Sequence, residues 1–438
     1  IVLNGGEMAD GLKAEDGEFN YANLDKQLAA ERAKAPVDMV AKNDYSKKAP
    51  ELQDSAYVVS DPNDKTAVGA GKLWDQAKTD GYTAAANSTE INIKYTVAEV
   101  DENGILNNNG QLAEGNFPIA LSDSSEYQTG MIGDRLVILS DADFSVYSTD
   151  GEKLTSRSHD YSNVILKTAA NRALIYESSG NKLRVETSRK TLFEKTLDDK
   201  IIFARISNEV YIAVVSTSDT YSCMLTVFDM NGNAIYYRGS VDRIIEVCFN
   251  NESTGCRITV MDANIGQIVS RAYQVNFTSE DEKWTTNEFE TLCVDLYTTS
   301  ADGLFILGDT KCAYYDKNGT FLKGYSYKNT LISGGFMNDR AAMIFKNDKR
   351  RKTSLVLVNG MESAPIEKII EGNLKYLVAE SELAYVMTDN EIIAYDYDGN
   401  VVSKASISDI YHSFLKSGNT IFLIGNTRID KINFISTQ

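Results

Sequence analysis

The chain has 438 residues, 43% of them hydrophobic, enough to bury a large core in roughly two or three domains or one repetitive one. Its formal charge of −18, with a pI near 4.7, argues against nucleic acid or an anionic bilayer as a partner. No run of about 20 apolar residues occurs, so no direct membrane insertion is expected.

The opening IVLNGGEMADG is neither a signal peptide nor an initiator context. It predicts a processed or truncated form from which any export signal or anchor is absent. Residues 1–88 are rich in alanine and charge and carry three of the five prolines, Pro36, Pro50 and Pro62. Good helix formers over 21–35 and 70–78 predict short helices separated by loop or extended chain. This region reads as an accessory segment, a stalk or linker.

From residue 89 to 438 short β-branched and aromatic runs alternate with Gly, Asn, Asp and Ser turns. No proline lies between Pro118 and Pro365. Four segments share one pattern: FSVYSTDGEKL (144–154), LTVFDMNGNAI (225–235), CAYYDKNGTFL (312–322) and IIAYDYDGNVV (392–402). Their glycines, at 151, 232, 319 and 399, are separated by 81, 87 and 80 residues. Weaker copies near the midpoints, LRVETSRKTLF (183–193), SRAYQVNFTSEDEKWTT (270–286) and LVLVNGMES (355–363), halve the period to about 40 residues.

Eight short apolar strands set the phase, among them RLVILS (135–140), RALIYE (172–177), CRITVM (256–261) and NTIFLIG (419–425). Each is read as the opening strand of a unit, with NVILKT (163–168) or IIEVCF (244–249) as a fourth strand. Four antiparallel strands per unit, repeated radially, predict an all-β fold, a β-propeller of eight blades, with seven as the alternative. A four-strand solenoid would need a polar cap at each end, which NTIFLIGNTRIDKINFIS does not resemble. The last unit runs out of chain after two strands, and GQLAEGNFPIALS (110–122) is the expected outer pair. The ring would then be closed by strands from both termini.

The repeat's Asp-x-Asn/Asp-Gly raises the question of calcium. A helix–loop–helix site needs an acidic first ligand and a glutamate at the twelfth position. In the last copy those places hold Ala394 and Ala405, in the Gly232 copy Val227 and Arg238, and in the Gly319 copy Tyr314 and Tyr325. A tight turn is the better reading, with glycine supplying positive φ and the aspartate capping the turn's amides.

Chemistry is sparse. The two histidines, His159 and His412, fall near strand ends in distant units, and no metal-ligand spacing or serine triad is present. Five cysteines, Cys223, Cys248, Cys256, Cys293 and Cys312, form no CxxC and read as buried thiols. Asp134, Asp302, Asp309 and Asp389 are funnel-carboxylate candidates by position alone, solvated acidic rims being the plainer reading. The basic run KNDKRRK (346–352) should be a protruding hairpin. Tyr147, Phe228, Tyr315 and Tyr395 read as inter-blade packing, while Tyr236, Tyr237, Tyr325, Tyr327 and Tyr397 lie where some would be exposed. No catalytic, cofactor-binding or metal-ligating residue is assigned, and no cofactor is expected. A quinone-dependent dehydrogenase is a weaker idea, because Trp74 and Trp284 are the only tryptophans and form no repeated signature.

Three stretches carry a more specific likeness: FPIALSDSSEYQTGMIGDRLVILSDADFSVYSTDGEKL (117–154), NRALIYESSGNKLRVET (171–187) and MDANIGQIVSRAYQVNF (261–277). Together they resemble an uncharacterised propeller family of clostridia-like Gram-positive bacteria, over roughly 105–435. The resemblance implies an N-terminal membrane anchor followed by an extracytoplasmic propeller, and it supplies no catalytic residue. The resulting expectation is a non-catalytic binding or scaffold module of the cell envelope, contacting protein or glycan through blade-top loops. The rival is an envelope carbohydrate-active enzyme using Asp/Glu residues in the funnel.

Overall fold

A computed structural model describes residues 98–100, 105–108, 110–122, 126–279, 282–347, 352–370 and 372–436. The accessory segment and helices expected over 1–88 lie outside these residues. The described residues form strands, turns and loops, and no helix among them is long and apolar enough to cross a membrane.

Val100–Gln438 forms an eight-bladed β-propeller, each blade built on a four-stranded antiparallel sheet. The strands nearest the axis, for blades 1 to 8, are Gln128–Ile132, Val164–Ala169, Ile201–Ile206, Arg243–Phe249, Cys293–Thr298, Thr330–Met337, Tyr376–Ala379 and Tyr411–Ser417. Inner strands of neighbouring blades touch at blades 1–2, 2–3, 4–5, 6–7 and 7–8, and the one from blade 8 meets the one from blade 1. The apolar strands of the repeat, such as Arg135–Leu139 and Arg172–Glu177, are therefore second strands. The segments read as fourth strands are the inner strands of the next blade. The expected phase is corrected by one strand.

The reason is burial. A second strand is covered on both faces by adjacent blades, so its middle is mostly apolar: Leu304–Gly308 is buried at every position. The blade faces stack directly on one another. Val137 and Phe144 of blade 1 share a core with Ala173 and Ile175 of blade 2, and Phe422 and Ile429 of blade 8 pack with Leu136 and Ile138 of blade 1.

Closure differs in detail from the expected outer pair. Blade 8 takes three strands from the C-terminal end, Tyr411–Ser417, Thr420–Gly425 and Arg428–Asn433. Its outer strand is the N-terminal Ile119–Ala120, antiparallel to Arg428–Asn433, with Leu112 bridging to Ile432. A second N-terminal strand, Leu106–Asn108, adds in parallel to the outer strand of blade 7, Val401–Ser406.

The recurrent glycines form the turns from third to outer strand. Gly151, Gly232, Gly319 and Gly399 have φ between 77° and 84°. The Asp229 carboxylate accepts the amides of Asn231 and Asn233, Asp316 those of Asn318 and Thr320, and Asp396 those of Asp398 and Asn400. A register shift one residue before each turn makes this a bulged hairpin with a single left-handed residue, the glycine. Each such glycine also docks on a neighbouring outer segment. A Cβ on Gly319 would lie 2.5 Å from the Trp284 ring of blade 4.

Candidate protein-docking face and central channel

Antiparallel order divides the loops between two ends of the ring. The upper end carries the second-to-third hairpins and the blade-to-blade connections. The lower end carries the first-to-second and glycine turns. The positional carboxylates are split accordingly and do not converge. Asp134 and Asp302 sit in lower turns of blades 1 and 5, while Asp309 and Asp389 sit in upper turns of blades 5 and 7. Asp302 pairs with the fully buried Arg257, and Asp389 with Lys375.

The side chains that do gather at the axis come from inner strands. Lys167 of blade 2, Arg205 of blade 3, Glu246 of blade 4 and Asp295 of blade 5 interact electrostatically across four successive blades. Glu246 and Asp295 occupy equivalent positions, each the first paired residue after an inner-strand bulge. Both carboxylates are engaged. Glu246 holds Arg205 and accepts the Val247 amide at 2.9 Å. Asp295 accepts the Leu296 amide at 2.8 Å and the Tyr297 hydroxyl at 2.7 Å. Burial raises the Glu246 carboxyl above its ordinary value against the pull of Arg205, and burial lowers the Lys167 ammonium with Arg205 adding to the effect. Two cations and two anions compensate one another, an arrangement that ties inner strands together. A cavity of about 190 Å³ lies elsewhere, between blades 7 and 8, lined by Gly110, Leu112, Ile407, Tyr411 and Leu423.

The histidines stay apart. His159 Nε2 meets the Ser140 carbonyl at 3.0 Å beside the Tyr161 ring, and His412 is the bulged residue of the blade 8 inner strand. Burial is the largest cause lowering both imidazoles. All five cysteines are free thiols, Cys248 half-buried and the others buried, and burial raises each above its ordinary value. Of the tyrosines, Tyr236 and Tyr397 are buried, Tyr325 and Tyr327 half-buried, and Tyr237 is exposed on the outer strand of blade 3. Phe228, Tyr315 and Tyr395 pack between blades as expected, and so does the half-buried Tyr147, against the core shared by blades 8 and 1. The basic run does join two paired strands, Asn347 opposite Lys352, and its tip at 348–351 lies outside the described residues.

The upper end of blades 3 to 6 presents exposed aliphatic side chains. The inner-strand bulges of these blades fall at Ile202, Ile245, Val294 and Ile332, near the upper ends of the strands; Val294 and Ile332 are each 51% exposed, and Ile202 and Ile245 are partly buried. Val241, in the connection into blade 4, is 79% exposed, and the Tyr221 ring lies over Gly239 nearby. In blade 4 the second and third strands, Gly255–Asn264 and Gln267–Asn276, run ten residues each, against five to eight for the second strand of the other blades. Pairing with the inner strand ends at Met261, and beyond the buried Val269 the last two residue pairs, Ala263–Ile268 and Asn264–Gln267, project as a ribbon roughly 7 Å long. At its tip Ile265 is 99% exposed.

Among solved structures, BamB from Moraxella catarrhalis matches with a TM-score of 0.51 at 14% identity, over 75% of this chain and 98% of that chain. Sqt1 from Saccharomyces cerevisiae matches with a TM-score of 0.55 at 8% identity, over 73% of this chain and 98% of that one. At such identities the likeness is one of fold. No curated protein matches the chain. A family model described as a family of unknown function, DUF5711, matches residues 114–434, and the chain belongs to that family.

Proposed function

We propose that this propeller is a non-catalytic binding module of the cell envelope, held outside the membrane by an anchor of the full-length protein. Its contact surface is the upper end of blades 3 to 6. The observation that carries the reading is the group of exposed Val241, Ile265, Ile268, Val294 and Ile332 on that end. These side chains are aliphatic, with the Tyr221 ring the one aromatic beside them, and a mostly aliphatic surface favours a protein partner over a glycan. The envelope location rests on the resemblance of the FPIALS, NRALIYE and MDANIGQIVS stretches to anchored propellers.

The test is immobilisation of the full chain and exposure to an envelope extract of the producing organism, beside a Val241→Asn/Val294→Asn variant. A protein retained saturably by the parent chain and lost by the variant supports the reading. Retention that the variant leaves unchanged contradicts it.

One observation favours a second reading. The inner strands of blades 4 and 5 bring two carboxylates, Glu246 and Asp295, to equivalent positions beside one another in the ring, the kind of pair a funnel-carboxylate enzyme uses. That reading expects a retained polysaccharide with shortened products, and their loss in Glu246→Gln.

A further inference from the structure

The turn at the tip of the blade 4 hairpin breaks a local rule. Ile265 has φ +49° and Gly266 φ +79°, the pattern of a two-residue type I′ turn. Asn-Gly is the usual occupant of such a turn. A β-branched side chain at positive φ is strained, because its Cβ crowds the backbone. Nothing in the fold repays that strain, since Ile265 is 99% exposed and touches no core. An asparagine there would be better for the hairpin and better for solubility. Local strain combined with apolar exposure marks a position held for contact with something else.

The surroundings define the chemistry of that contact. Ile268, on the same ribbon, is 49% exposed. Around the ribbon stand Asp262, Glu288, Glu290 and Asp242. Arg271 pairs with Asp242 and Lys311 with Glu290. Asp262 is engaged with the Ala263 amide, and Glu288 accepts the Asn264 side-chain amide at 2.9 Å. Neither of these two has an ion-pair partner among the described residues. The ribbon is thus an aliphatic tip with an unneutralised acidic flank.

Resting on the docking face proposed above, we infer that Ile265 is its anchor and that the partner is a protein presenting a basic amphipathic segment. The apolar stripe of that segment lies against Ile265 and Ile268, and its lysines or arginines meet Asp262 and Glu288.

The probe is a synthetic amphipathic helix of leucine and lysine, compared with the same helix carrying glutamate for lysine. Binding to the full chain is read by fluorescence anisotropy at low and high salt. The lysine peptide is expected to bind, more weakly as salt rises, and the glutamate peptide is not. Ile265→Asn should weaken binding by about thirtyfold or more, the range of an interface hot spot, while leaving Tm unchanged or higher. Asp262→Asn/Glu288→Gln should weaken it and flatten the salt dependence. Met230→Asn, at the lower end, should leave it unchanged.

Full binding by Ile265→Asn, with loss in Val241→Asn/Val294→Asn, overturns the anchor and leaves the docking face standing. Equal binding of both peptides overturns the basic partner. No binding of either peptide, or binding indifferent to every upper-end variant, overturns both the anchor and the face.

Discussion

Asn108 and Ile435, 327 positions apart, are joined as if they were partners in a sheet: the Asn108 side-chain amide donates to the Ile435 carbonyl at 3.1 Å, and its carbonyl accepts the Ile435 amide at 2.8 Å. Asn108 Nδ2 also reaches Ser403 Oγ at 2.7 Å, and the Ser403 hydroxyl donates to the same Ile435 carbonyl at 2.6 Å. The adjacent Ser436 meets the buried Tyr385 hydroxyl. One asparagine thus ties an N-terminal strand, the outer edge of blade 7 and the C-terminal tail together, beside the blade where the ring closes.

Asn108→Ala should therefore cost about 1–3 kcal/mol, because it strands the half-buried Ile435 amide and removes a donor from the buried Ser403 hydroxyl. The urea midpoint measures this. An unchanged midpoint would show that the ring closes without the latch.

Gly319 and Gly360 separate two costs. Both have positive φ, but a Cβ on Gly319 meets Trp284 at 2.5 Å, whereas a Cβ on Gly360 meets nothing within 4 Å. Alanine at 360 should cost about 1–2 kcal/mol for the left-handed backbone. Alanine at 319 should cost about 1–3 kcal/mol more, as overpacking against the neighbouring blade. Equal losses would mean that the glycine turns do not dock between blades.

At the axis, Arg205→Met should destabilise by about 3–5 kcal/mol, because it leaves Glu246 buried without its counter-charge. The double variant Arg205→Met/Glu246→Met should recover most of that loss. A double variant no better than the single would show that the pair does not act as a unit.

The histidines give a sign for pH dependence. Both are lowered from 6.5 in the folded chain, chiefly by burial, so acid protonates the unfolded state first. Their stabilising contribution is complete above pH 6.5 and declines as pH falls from there through the folded values. His159→Asn/His412→Asn should flatten the stability profile between about pH 6.5 and pH 5, above the range where most carboxylates titrate. A profile that keeps its slope would place the proton uptake elsewhere.

The second strands and the glycine turns were legible because their demands are local. A strand covered on both faces is apolar along its buried length, as over 136–139 (LVIL), and the bulged turn needs Gly399 with Asp396 to cap it. The phase was not legible. Every strand of a meander pairs with both of its sequence neighbours, so periodicity does not say which strand faces the axis. The inner strands also carry Lys167, Arg205, Glu246 and Asp295, which dilute their apolar signal. That dilution was itself the missed sign: in IIFARI and IIEVCF one charge interrupts an apolar run. Asp134 and Asp302 were candidates through nearness to the strands taken as first, and the corrected phase puts them at the lower end. Asn108 gave no signal, since its partner is distant in sequence. Ile265 gave a faint one, an isoleucine before glycine where a hairpin prefers asparagine.

The central claim is that partners bind the upper end of blades 3 to 6. Hydrogen exchange of the full chain, with and without a protein retained from the envelope extract, tests it most directly. The account predicts new protection confined to residues around 241–243, 261–269 and 292–295. Protection confined to the glycine turns of the lower end, or to the outer strands, would contradict it.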